Sequence, residues 1–514
     1  MRHIPVWPPS RFAGADVVAG ACRAGGSPEA MALRSPRLFL RETLAGTVTS
    51  LALIPEVVSF SFVSGVDPRV ALVASVVLAL VMSVLGGRPA MVTAAAGSVA
   101  LVIGPLVRAH GVGFVLPTVM LAGIVQIGFG FAGLARLMRL VPRAVTIGFV
   151  NALGILIFLA QLPHVLHGSW QIYPLFLLTV AIVLLLPRLT TAVPAALVAI
   201  VVVSIAAVAG HLQVPSVGGD APPATGLSGL TPWLVPADLA TLQIIWPTAL
   251  SVAFVGLLET LLTAKLVDEL TGTRSSKTRE SWALGVANIA AGFYGGVAGC
   301  AMIGQTVVNV EIGHGRTRIS TAVAGLVLLL LLTVLSGLLA AIPLVALAAV
   351  MMIVAIRTVN WRSLHPATLR RMPAAETAAM AVTVITTVAT GNLMFGVVGG
   401  SLLALLLFVR HIASSLRVER MLADDGGVRY TLRGPLFYVS SADLADHFAD
   451  GADPATVVLD LTHAQIWDAS SFAALDGVEQ KYRARGAAVT LTGLDARSAA
   501  LRDRLIGIGR RSAG

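Results

Sequence analysis

Residues 47–65 read TVTSLALIPEVVSFSFVSG, and residues 244–264 read IIWPTALSVAFVGLLETLLTA. Both stretches are apolar and long enough to cross a bilayer, which takes about 20 mostly apolar residues. Each nevertheless holds one carboxylate: Glu56 directly after Pro55 in the first, and Glu259 in the second. An ionisable group at membrane depth is costly, so it faces a bundle interior or a water-filled cavity and marks an ion or substrate path. Outward from these two stretches the pattern continues. Between Glu42 and His411 the chain is a near-unbroken series of apolar, helix-length segments.

The 514 residues are 56% hydrophobic and 12% charged, with a mean hydropathy of +0.86. Soluble domains carry about 25% charged residues, so the chain is a polytopic membrane protein. Fourteen candidate segments lie near 43–63, 68–86, 89–108, 114–136, 142–162, 171–188, 191–210, 243–269, 279–297, 299–313, 320–340, 342–357, 374–391 and 394–412. The third and tenth are the weakest, being polar or short.

The net charge of +10 would suit nucleic acid, but its placement excludes that reading. Arg34, Arg37 and Arg41 precede the first segment, and Arg136, Arg139 and Arg143 surround the turn after the fourth. Lys277 and Arg279 follow the eighth, Arg316 and Arg318 the tenth, and Arg357, Arg362, Arg370 and Arg371 the twelfth. The long opposite-side loop, His211 to Leu242, has no Lys or Arg. By the positive-inside rule both termini are cytoplasmic. Cys22 and Cys300 are the only cysteines, so neither a disulfide framework nor a cysteine metal site is available. Residues 1–35, rich in Pro, Gly and Ala, read as a disordered leader or as sequence upstream of a start at Met31.

After His411 the pattern turns soluble. VRYTLRGPLFYV, ATVVLDLTHA and AAVTLTGL read as strands, and SADLADHFAD and SFAALDGVEQKYRARG as helices. Alternating strands and helices indicate a small α/β domain, here residues 425–510, behind a membrane domain of residues 36–415.

The membrane part repeats itself. Each half opens with a buried acid, and each has one broken segment: Pro89 and the run TAAAGS interrupt the third, the glycines of GGVAGCAMIG the tenth. Paired interruptions in corresponding halves point to a transporter binding site. Seven is odd, so seven plus seven segments make the halves an inverted repeat. Two half-helices ending at mid-membrane present free N–H groups and about half a positive charge each, which holds an anion without lysine or arginine. The residues placed to do so are Ala95, Ala96, Gly97 and Ser98 in one half, and Ala301, Met302, Ile303, Gly304, Gln305 and Thr306 in the other. Glu259 and Thr263, spaced i,i+4, share a helix face and suit a Na⁺ ion or a proton carried on the acid. Glu56 is a second coupling candidate. Gln126, Asn151 and Asn288 read as interhelical hydrogen-bonders, the scattered histidines make no metal site, and no ATP-binding loop or catalytic triad is present, so the chain does not read as an enzyme.

At these residues the chain resembles the sulfate permease (SulP) family. The likeness runs through LALIPEVVSF (51–60), GGRPAMVTAAAGS (86–98), LLETLLTAKLVDELTGTRSSKTRE (257–280) and GVANIAAGFYGGVAGCAMIGQTVVNVEIGHGRTRIS (285–320). It implies a core domain moving against a gate domain, homodimers, and an anion site between segments three and ten. It also implies the inner membrane of a bacterial cell and a C-terminal STAS domain with a cytosolic partner. Gln305 stands where many members have arginine. The stretch CAMIGQ is similar to a bacterial subgroup close to sodium-dependent bicarbonate transporters, which implies Na⁺ held by Glu259, Thr263 and backbone at Ala301–Ile303, with Glu in place of their Asp. Glu56 matches the acid tied to proton coupling in other bacterial members. In IWDASSFAAL, Ala469 occupies the position of the phosphorylated serine of soluble relatives, with Ser470 and Ser471 beside it, and Asp468 caps the following helix.

The expectation is therefore secondary active symport of an inorganic anion, sulfate or bicarbonate, with H⁺ or Na⁺. A C4-dicarboxylate carrier, a passive channel or uncoupled exchanger, and a membrane scaffold are the alternatives.

Overall fold

The computed structural model describes residues 28–133, 141–166, 169–190, 194–220, 235–236, 238–334, 340–422, 426–441, 444–448 and 453–511. The expected leader, residues 1–35, falls mostly outside these. From Pro28 to Arg34, however, the chain is helical where the sequence was read as unstructured. PEAMALR opens with proline and an acid and continues with good helix formers.

The fourteen apolar segments become α1 (Pro36–Ser64), α2 (Pro68–Leu85), α3 (Gly97–His110), α4 (Val115–Phe131), α5 (Arg143–Gln161), α6 (Ile172–Leu189), α7 (Ala195–Ala209), α8 (Leu239–Thr271), α9 (Lys277–Phe293), α10 (Ile303–Val307, continued by a π-helical turn Val308–Ile312), α11 (Arg318–Val334), α12 (Leu344–Thr358), α13 (Ala374–Thr390) and α14 (Leu393–Ala413). Short strands β1 (Thr93–Ala95) and β2 (Gly299–Ala301) precede α3 and α10. Among the described residues seven helices are long and apolar enough to cross a membrane, and five more are apolar but shorter. Burial separates their roles. The apolar window of α8 is 72% buried, whereas those of α6 and α14 are 22% buried and present leucines outward, as a lipid-facing surface requires.

The repeat shows in which helices pack together. α4 lies on α8 and α9, and its counterpart α11 lies on α1 and α2. α5 lies on α13, and its counterpart α12 lies on α6. α1 to α4 and α8 to α11 thus form one group, and α5 to α7 with α12 and α13 another. Small residues allow the closest approaches. At the α4–α9 crossing a Cβ on Gly123 would stand 2.6 Å from the Gly285 carbonyl, and one on Gly285 2.4 Å from that of Gly123. α1 and α8, of 29 and 33 residues, each contain a proline (Pro55, Pro247) and each stop at a left-handed glycine, Gly65 and Gly272.

The chain divides into two compact units, residues 1–401 and 402–514. In the second, β3 (Arg417–Leu422), β4 (Val428–Leu436), β5 (Thr456–Ile466) and β6 (Ala488–Thr492) form one sheet in that order, antiparallel for the first pair and parallel thereafter. α15 (Ala469–Ala484) and α16 (Ala496–Arg511) complete it. Tyr430, Leu459, Leu475 and Tyr482 belong to its buried core. Asp468 caps α15 as expected, accepting the Ser471 N–H at 2.9 Å. SADLADHFAD, read as a helix, supplies only the 3₁₀ turn Leu444–His447 among the described residues, because Leu444 and Phe448 are both drawn into the core. β3 and α16 were not foreseen.

Candidate functional site

β1 and β2 lie antiparallel, with Thr93 opposite Ala301, Ala94 opposite Cys300 and Ala95 opposite Gly299. Because the pairing is antiparallel, α3 and α10 leave this short ladder at its opposite ends, each starting directly after its strand. Backbone buried at membrane depth must find hydrogen-bond partners, and polar side chains supply them along the outer edges. Ser75 Oγ accepts the Ala95 N–H at 3.1 Å, and Thr260 Oγ1 accepts the Ala301 N–H at 3.0 Å. Asn288 accepts the Gly299 N–H at 2.8 Å and donates to the Gly299 carbonyl at 3.2 Å. Its amide also donates to Gln126 Oε1 at 2.8 Å, the interhelical role expected of both residues. Asn151 plays that role between α5 and Ser363, at 3.0 Å.

Ala96 and Met302 are the N-caps of the two half-helices. The first helical bonds are those of the Ala100 and Thr306 N–H groups, to Ala96 and Met302. The N–H groups of Gly97, Ser98 and Val99, and of Ile303, Gly304 and Gln305, therefore stand outside the helical ladders. A Cβ on Gly97 would meet the Phe60 ring at 2.5 Å, so the ring closes over that N-terminus. A Cβ on Gly304 would meet nothing within 4 Å, so the space before α10 is open.

Glu259 lies beside both N-termini and is 7% exposed. Its Oε2 accepts from the Ser98 hydroxyl and, at 3.2 Å, from the Cys300 thiol. Ser98 was expected as a donor to a bound anion; here its proton goes to the carboxylate. Thr263 Oγ1 reaches two carbonyls, that of Glu259 at 2.8 Å and that of Ala301 at 2.9 Å. Thr306 accepts the Val92 N–H at 3.0 Å and so ties α10 to the chain entering β1. Gln305 sends its amide toward the Ala52 carbonyl at 3.5 Å, while its own carbonyl oxygen is buried without a partner. Glu56, on α1, is half-buried. No ion pair among the described residues includes Glu56 or Glu259. Among the described residues no cluster of three or more His, Cys, Asp or Glu is placed to hold a metal ion. The roles of Ser75, Thr260 and Cys300 escaped the sequence reading. Tertiary contact decides these roles, and no local signal marks them.

A profile of the sulfate permease family matches residues 39–174 and 170–383, and one of the STAS domain matches residues 421–506. The chain belongs to the sulfate permease family. It is 45% identical over 461 residues to the putative sulfate transporter YbaR of Bacillus subtilis, covering 90% of this chain and 96% of that one. Its fold is that of murine Slc26a9, an anion transporter solved in the inward-facing state, with TM-score 0.77 at 16% identity over 90% of this chain and 86% of that one. The transmembrane domain of a cyanobacterium bicarbonate transporter, BicA, superposes with TM-score 0.63 at 24% identity, covering 70% of this chain and 98% of that one. This sulfate permease family member is thus a multi-pass membrane protein of an anion-transporter family, with a C-terminal STAS domain.

Proposed function

We propose that the chain is a secondary active transporter that brings a small inorganic oxyanion, sulfate or bicarbonate, across the bacterial inner membrane together with a proton or Na⁺. Both termini are cytoplasmic in this reading, and the protein works as a homodimer whose STAS domain meets a cytosolic partner. The anion sits between the N-termini of α3 and α10, against the N–H groups of Gly97, Ser98, Ile303, Gly304 and Gln305. The relatives support the two substrate candidates: YbaR is named a putative sulfate transporter and BicA a bicarbonate transporter.

One observation carries the coupling. Glu259 is buried beside both N-termini and has no cationic partner among the described residues. A buried charge is strongly disfavoured unless paired, so a proton or a Na⁺ ion must balance it whenever an anion arrives. Na⁺ as cargo would find the Glu259 carboxylate, Thr263 Oγ1 and the Ala301 carbonyl close together, with Ile303 two residues further along the chain. A proton would sit on Glu259 itself, with Glu56 as a second carrier. Alternating access follows when the α1–α4 and α8–α11 group moves against the α5–α7, α12 and α13 group.

Radiolabelled sulfate and bicarbonate uptake into proteoliposomes, under an imposed proton or sodium gradient, tests this. One gradient should drive accumulation of one anion. Uptake indifferent to both gradients would leave an uncoupled exchanger and end the coupled reading.

A further inference from the structure

Helices α1, α3 and α5 line a half-open cleft of about 250 Å³. Its walls are Phe62 and Val63 of α1, Leu101 and Arg108 of α3, Ala160 of α5, and His164 in the turn that follows. Alternation of the helices puts this cavity at the end of the bundle opposite the arginine clusters. Among the described residues only two lysine or arginine side chains reach that end, Arg69 and Arg108. Arg69 starts α2 beside its cap Asp67. Arg108 lines the cavity and enters no ion pair among the described residues.

Gly104 makes room for it. A Cβ there would stand 3.1 Å from Arg108 Nη1 and 2.5 Å from the Val63 carbonyl, so the guanidinium folds back along α3 toward the α1 seam. The last turn of a helix is its negative end. A cation there offsets the dipole and turns a surface that would repel anions into one that accepts them. The guanidinium fork matches the oxygens of a small oxyanion. The volume suits one such ion with a few waters, at roughly 30 Å³ each.

We propose that this cavity is a second anion site, a loading station in which a small oxyanion rests on Arg108 before reaching the N-terminus of the same helix. Arg108 lies eleven residues beyond Gly97, roughly 16 Å along α3. The proposal rests on the anion-transport reading but is tested without transport. Detergent-solubilised full-length protein carrying Cys22→Ser and Ala160→Cys is labelled with an anionic or a cationic methanethiosulfonate, with and without sulfate. The anionic reagent should be favoured by about tenfold, as for a cleft of one charge sign, and sulfate should slow its reaction. Arg108→Gln should abolish both effects, whereas Arg108→Lys keeps the charge preference and Arg69→Gln changes neither. A reagent ratio that survives Arg108→Gln, or labelling that sulfate does not slow, overturns the site and reduces Arg108 to a dipole complement. Leu101→Cys carries the same test if Ala160→Cys does not fold. Failed uptake with intact sulfate protection would count against the transport reading and leave the site standing.

Discussion

α1 and α8 are counterparts in the two halves, alike in length, in their internal proline and in their closing glycine, yet they hold their glutamates differently. Glu259 is enclosed: the Ser98 hydroxyl and the Cys300 thiol both donate to one carboxylate oxygen, and Thr263 lies one turn away. Glu56 is half-open, and no side-chain hydrogen bond among the described residues holds it. An inverted repeat supplies two equivalent positions, but their surroundings differ: one acid is tied to the strand–helix junctions and the other is half-open.

The comparison breaks most visibly at Glu259. Glu259→Gln presents an amide N–H₂ to a pocket built of donors, and losing a charge-assisted hydrogen bond costs about 1.5–3 kcal/mol. Uptake in proteoliposomes should fall roughly 10- to 100-fold, with response to the driving gradient lost. Wild-type accumulation by this variant would sink the coupling role.

A third carboxylate sharpens the contrast, because it has the countercharge that Glu259 lacks. Asp453 accepts from Tyr430 at 2.6 Å, from Tyr482 at 2.5 Å and from Arg420 at 2.8 Å. Burial pushes its carboxyl up, but the hydrogen bonds from both tyrosines and the arginine outweigh that and hold it below the usual carboxylate range. A depressed carboxyl stabilises the fold above the unfolded-state pKa, about 3.9, and that stability is lost as pH falls through the folded value. Chemical denaturation of the STAS domain should therefore show weakening below about pH 4. Asp453→Asn should cost about 2 kcal/mol at neutral pH and flatten that acid dependence.

Thr263→Val is the next smaller effect. It keeps the shape and removes the hydroxyl shared by the Glu259 and Ala301 carbonyls, a loss of about 1 kcal/mol. If Na⁺ is the cargo, its half-saturating concentration should rise about fivefold, while a proton-driven system would show no sodium term to change. Glu56→Gln should be mildest for stability, within about 0.5 kcal/mol in thermal unfolding, yet should alter the gradient dependence of uptake. A Glu56→Gln protein that melts far below wild type would erase the distinction between the two acids.

Much of this was legible in the sequence because a bilayer imposes long apolar runs, and because an acid inside such a run stands out. The broken segments were legible as breaks, but not as strands. TAA and GCA are too short and too small in side chain to carry a period, so their pairing, and with it the service of Ser75, Thr260 and Asn288 to the strand edges, is decided by tertiary contact alone. Cys300 was counted for its absence of a disulfide partner, and nothing local tells that it faces Glu259. In the soluble part β3 was missed because RVERML is an exposed edge strand whose charges look like linker. The stretch SADLADHFAD misled because helical spacing over a few residues also describes a turn that hands two apolar side chains to a core.

The strand pair β1–β2 makes each half depend on the other. A lone seven-helix half possesses one three-residue strand with nothing to pair it, and one N-terminus where the cradle has two. Completing it takes a strand and a helix N-terminus from the other half, which this chain carries in its own sequence.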